Sequence, residues 1–120
     1  MSSILEVISD NPQLSPVSVL ETFIGDEITT HLENVVKRYV VLGLSNQPVR
    51  HLFVQEESME DFYRKRFNKR LTRTELLAFE VAGLNENYKL YLPIDICSDG
   101  DALFYTQFED RVADNQVVPS

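Results

Sequence analysis

Arg38 is the residue of this 120-residue chain whose type and setting point most directly to chemistry. It stands beside Lys37 in Val35–Leu42, VVKRYVVL, a run otherwise rich in Val, Tyr and Leu. A guanidinium on a rigid strand offers a planar fork of donors that grips a carboxylate bidentately. The same arginine on an edge strand has a second reading, an ion pair with a nearby carboxylate such as Glu33, which is worth little. A second cationic group follows. Arg64, Lys65, Arg66, Lys69 and Arg70, with Arg73 just beyond, make up more than half of the 11 Lys and Arg residues within ten positions. They read either as a solvated face with charge favourable to a helix C-terminus or as a basic patch for an acidic partner or polyanion.

Other reactive residue types are isolated. Cys97 is the only cysteine, so no intramolecular disulfide forms, and the usage suits a reducing cytoplasm. A nucleophilic thiol needs a base and an electropositive setting. Asp95, Ser98 and Asp99 supply the opposite, so Cys97 reads as a small buried residue. His31 and His51 stand alone, and no paired Cys or His has metal spacing, so no metal is expected. Glu56-Glu57 and Glu60-Asp61 lie at a helix entrance, where carboxylates answer the helix dipole. No glycine-rich phosphate loop and no Gly-x-Ser-x-Gly occurs, and no cofactor is expected.

The elements that position these residues are a strand pair and a helix. Val35–Leu42 predicts one strand, Ser45-Asn46-Gln47 a turn, and Pro48 the opening of a second strand through Val49, Leu52, Phe53 and Val54. Ser58 then caps a helix with Asp61 three residues on. Met59, Phe62, Tyr63 and Phe67 fall on one face as a core stripe, and the basic residues take the other. Upstream, Ser2–Ser9 predicts a short helix, and Ser15-Pro16 opens another that carries Val17, Leu20 and Phe23 and closes at Gly25. Asp26–Asn34 reads as a third helix, although Ile-Thr-Thr is also strand-like. Downstream, Thr72-Arg-Thr-Glu75 predicts a capped helix through Ala78. Asn85-Glu-Asn87 reads as a turn and Tyr88–Ile94 as a strand ended by Pro93. Ser98-Asp-Gly-Asp101 marks a hairpin whose return strand is Ala102–Phe108.

With 43% apolar and 25% charged residues, the chain has the composition of a globular protein. One α+β domain is expected over residues 1–112, followed by a polar tail over 113–120. The net charge of −8 argues against nucleic-acid and anionic-membrane binding, where cations supply most of the affinity. No signal-peptide pattern and no membrane-length apolar run is seen, so the expected location is cytoplasmic.

Three stretches resemble the chorismate pyruvate-lyase-like family: LSPVSVLETFIGDEITTHLE (Leu14–Glu33), Arg38–Leu42 with HLFVQEES (His51–Ser58), and LTRTELLAFEVAG (Leu71–Gly83). GDALFYTQF (Gly100–Phe108) is more loosely similar to the family's last hairpin. The resemblance implies a curved antiparallel sheet with helices packed on it, enclosing a small-molecule pocket. It also implies cleavage of chorismate to 4-hydroxybenzoate and pyruvate without metal or cofactor. Arg38 matches the family's carboxylate-binding arginine. The family's late glutamate aligns with Gln107, and an amide cannot do its acid–base work. The segment that the family carries near Asn34 is also missing. The expectation is therefore a non-catalytic binding or regulatory domain holding an aromatic or dicarboxylate ligand through Arg38, Arg50 and Gln107, dimerising through an exposed strand edge. The alternatives are a minimal lyase, or an acidic interaction module without a pocket that uses the basic patch from Arg64 to Arg73.

Overall fold

The computed structural model describes residues 3–83 and 89–99. The turn expected at Asn85–Asn87, the strand at Ala102–Phe108, Gln107 and the tail lie outside them. The described elements are α1 (Ile4–Asp10), α2 (Pro16–Glu21), β1 (Glu27–Leu32), β2 (Val35–Pro48), β3 (Phe53–Val54), β4 (Glu57–Ser58), α3 (Met59–Phe67), β5 (Leu77–Gly83), β6 (Lys89–Leu92) and β7 (Cys97–Asp99). β2 is the spine of a five-stranded antiparallel sheet of order β6-β5-β2-β1-β7, and β3 and β4 form a separate hairpin.

The helix starts follow local chemistry. Ser3 Oγ accepts from the Glu6 N–H, and the Glu6 carboxylate accepts from the Ser3 N–H, a reciprocal capping box. Ser15 caps α2 with Pro16 in its first turn. Ser58 Oγ accepts from the Asp61 N–H, and Asn68, left-handed at φ 51°, ends α3.

Several expected elements are corrected; the strand expected from Pro48 is a 3-10 turn at Val49–His51 followed by the two-residue β3. The helix over Asp26–Asn34 is strand β1: Ile28, Thr29 and Thr30 are paired on one side with β2 and on the other with β7, and a ladder on both flanks outweighs weak helix propensity. Ser45-Asn46-Gln47 is no turn, because β2 runs through it to Pro48. Ser45 Oγ accepts from the Ala78 N–H and donates to the Gln47 carbonyl, carrying the ladder across an irregularity in the β2–β5 register. The helix expected at Thr72–Ala78 is a run of bends and turns over 72–76 that leads into β5 at Leu77. Asp95, 23 residues on, takes both the Thr72 N–H and its hydroxyl, so the capping residue serves a tertiary contact.

The core gathers Ile4 from α1, Leu20 from α2, and Ile28, Val41, Phe79 and Val81 from the sheet, all buried. Phe23 meets Phe79 edge-on at 6.1 Å between centroids. α1, α2 and α3 have only 7, 6 and 9 residues, too few to roof a five-stranded sheet. The expected curved sheet with helices packed over it is therefore corrected to a small, mostly strand, antiparallel domain. Among the described residues, no helix is long and apolar enough to cross a membrane.

Candidate functional site

Antiparallel register sorts the side chains of β1 and β2 onto two faces. Leu32 stands opposite Val35, Thr30 opposite Lys37, and Ile28 opposite Tyr39. Thr30, Leu32, Val35, Lys37 and Tyr39 of this face line a cleft of about 520 Å³ between the sheet and the β3–β4–α3 module. They form its sheet wall, with Lys89 to Leu92 of β6 at one side. Phe53 and Gln55 of the hairpin and Met59, Phe62, Tyr63 and Phe67 of α3 make the outer wall.

The module is a short hairpin reversing through Gln55 (φ 52°) and Glu56 (φ 70°), a left-handed pair that suits the twist of two strands. Chain continuity places α3 directly after β4. The Met59 N–H donates to the Leu52 carbonyl, and Met59 is buried. Phe62, Tyr63 and Phe67 form a ring cluster with centroids 5.2–6.2 Å apart. Phe53 stands apart, 71% exposed at the mouth. Six of the chain's twelve aromatic residues, Tyr39, Phe53, Phe62, Tyr63, Phe67 and Tyr91, thus line one cleft.

Burial pushes the Tyr63 phenol well above its ordinary range, with Cys97 and Tyr39 adding to the effect, so it remains protonated. The Tyr91 hydroxyl donates to Glu80 at 3.3 Å, and that carboxylate raises its pKa. Lys37 and Lys89 are exposed at the cleft, and among the described residues neither has a carboxylate at ion-pair distance. Behind the outer wall, Arg66 lies 4.7 Å from the Phe62 ring centroid, a cation–π contact.

The residues singled out from the sequence fall elsewhere. Arg38 pairs with Thr29 in register, on the face turned away from the cleft, and its guanidinium meets Glu27 at 3.6 Å rather than Glu33. Arg50 sits in a 3-10 turn at Val49–His51, where its N–H donates to the Thr74 carbonyl, and it does not line the cleft. Gln107 lies outside the described residues. Of the basic run, Arg64 is committed to Asp61, whereas Lys65 and Arg66 share Glu57. Arg70 borders a polar depression with Ser58, Glu60 and Asp61. Cys97 is buried, its thiol donates to the Pro93 carbonyl, and burial followed by the charge of Asp95 pushes its pKa far up, so it is inert.

The spacing of the aromatic wall predicts core packing, and the structure places it on a cleft. The available signal was its interleaving with cations in Phe62-Tyr-Arg-Lys-Arg-Phe67. Whole-chain charge hid the same feature. Residues 35–73 carry nine Lys and Arg against four Asp and Glu, while the rest of the chain carries two against fifteen.

No family model matches the chain, and no curated protein matches it in sequence. Solved structures do share its fold. The Drosophila Argonaute 2 PAZ domain, studied for recognition of nucleic-acid 3′ ends, superposes with a TM-score of 0.66 at 16% identity, covering 85% of this chain and 97% of that one. A Drosophila Argonaute PAZ domain in complex with RNA 2′-O-methylated at its 3′ end gives 0.55 at 20% identity, over 68% of this chain and 73% of that one. The fold is therefore PAZ-like. This overturns the chorismate pyruvate-lyase-like resemblance, and with it both the small-carboxylate ligand and the minimal lyase. The short stretches that carried the resemblance consist of common residues and belong here to a different topology. The expectation of no nucleic-acid partner falls too. The two neighbours bind or recognise nucleic-acid ends, and net charge does not describe the surface around the cleft.

Proposed function

We propose that this chain binds the 3′ end of a single-stranded nucleic acid in the cleft between the sheet and the β3–β4–α3 module. The observation that carries this reading is the concentration of half the aromatic side chains on one groove whose walls also bear the exposed Lys37 and Lys89, neither of which has a carboxylate at ion-pair distance among the described residues. Every base has a π-face, so aromatic walls hold unstacked terminal nucleotides whatever their sequence, at about 1–3 kcal/mol per stacked base. Lys37 and Lys89 attract the phosphates beside them. Tyr63, on the α3 wall, keeps its proton because burial raises its pKa. The likeness to domains that bind nucleic-acid 3′ ends supports the choice of an end rather than an internal segment.

The test is fluorescence anisotropy with a short 5′-labelled single-stranded RNA, competed by the same RNA with a free 3′ end or in circular form. The linear competitor displaces the probe, the circle does not, and Phe53→Ala weakens binding without unfolding the chain. Equal competition by the circle rules out end recognition. Absence of binding at low salt removes the reading altogether.

A further inference from the structure

The cations of α3 and of the segment that follows it form two kinds of ion pair. Arg64 meets Asp61 at 2.8 Å, and Arg73 meets Glu75 at 2.7 Å; these are tight, committed contacts. Lys65 and Arg66 both converge on Glu57, but at 3.4 Å and 3.3 Å. Charge-assisted bonds of good geometry are closer to about 2.7–2.9 Å. One carboxylate is thus loosely divided between two cations. Lys65 and Arg66 are 59% and 47% exposed, open to a competing anion, whereas Glu57 is only 24% exposed.

The position of this triad gives it meaning. Glu57 belongs to the hairpin and the two cations to the helix, and these two elements form the outer wall of the cleft. The Arg66 guanidinium also lies over Phe62, whose ring lines that cleft. Arg66 does not itself line the cleft, so the phosphate it would meet is one carried past the edge of the Phe62 ring by a strand leaving the cleft. The carboxylate of Glu57 has the charge and the acceptor oxygens of the phosphate it would face.

We infer that Glu57 is a built-in competitor of nucleic-acid phosphate: it holds Lys65 and Arg66 in the empty domain and yields them to the strand that enters the cleft. This rests on the 3′-end reading above. It makes Glu57 a brake on affinity. The opposite role, a latch that merely orders the wall, requires the opposite sign when the charge is removed.

The experiment is anisotropy of the full chain with a short 5′-labelled single-stranded RNA carrying a free 3′ hydroxyl, over a potassium chloride series. Glu57→Gln binds about fivefold tighter at low salt, near the upper limit of what a surface ion pair holds back. Its plot of log affinity against log salt steepens by about 0.7 for each cation released to phosphate. The double variant Lys65→Gln/Arg66→Gln binds more weakly than wild type, and adding Glu57→Gln to it brings no gain. Thermal unfolding of each variant shows that the fold is retained. If wild type binds but Glu57→Gln binds equally or more weakly, or gains affinity without a change of slope, the inference is overturned, and the 3′-end reading is decided by the circular competitor. If wild type binds no RNA, the 3′-end reading fails and takes this inference with it.

Discussion

The two walls of the cleft are built on different principles. The sheet wall rests on β2, which is paired along both edges, and on a core in which Ile28, Val41, Phe79 and Val81 are buried. The outer wall is a hairpin of two residue pairs and a nine-residue helix. It is held by Met59, Tyr63 and a ring cluster, with charges on its far side. Backbone ladders fix the first wall residue by residue. The second is positioned by a few apolar anchors, so its rings can be adjusted at smaller cost. A cleft made this way has one fixed face and one adaptable face.

The comparison breaks most visibly at Phe79. Phe79→Ala empties a site with no exposure at the junction of β5 with β2 and β6, and costs about 3–5 kcal/mol. Urea unfolding should show both walls lost together; survival of the sheet at near wild-type stability would refute its role as the rigid half.

Phe53→Ala tests the adaptable wall from the other side. Because Phe53 is 71% exposed, its loss leaves stability within about 0.5 kcal/mol. RNA affinity should nevertheless drop by about 1–3 kcal/mol, as for one stacked base. Equal losses in stability and affinity would mean that the ring is structural.

A smaller effect sharpens the same distinction. Ser58→Ala removes the cap of α3 and costs about 1 kcal/mol. Amide exchange should quicken first in α3 and leave the β1–β2 ladder protected.

Alkaline pH probes the seam between the walls, where Tyr63 and Cys97 are buried. Their folded pKa values are raised above the ordinary 10.0 and 9.0, so the unfolded chain gives up these protons first. Their contribution is fully present below about pH 9 and is lost as pH rises from there toward the folded values. Tyr63→Phe and Cys97→Ala should each flatten that decline in a pH series of melting temperatures. The smallest expected effect is at Arg38, whose half-exposed pair with Glu27 faces away from the cleft: Arg38→Ala leaves RNA affinity unchanged.

Local chemistry alone determined the helix starts at Ser15-Pro16 and Ser58, a first helix near the Ser2-Ser3 pair, the aromatic stripe of α3, the strand character of Val35–Leu42 and the stop at Pro93. Each depends on groups a few residues apart, and those spacings can be read directly from the chain. Only the tertiary structure decided that Glu27–Leu32 is a strand, that β2 passes through Ser45–Gln47, and that Thr72 answers to Asp95. In each case a partner distant in sequence supplies the hydrogen bonds, and no local propensity outweighs a completed ladder. The site was hidden for the same reason. The stripe at Met59, Phe62, Tyr63 and Phe67 is legible as apolar, but whether it closes a core or walls a cleft depends on what stands opposite. The register of β1 against β2 brings Thr30, Lys37 and Tyr39 to face it and turns Arg38 away.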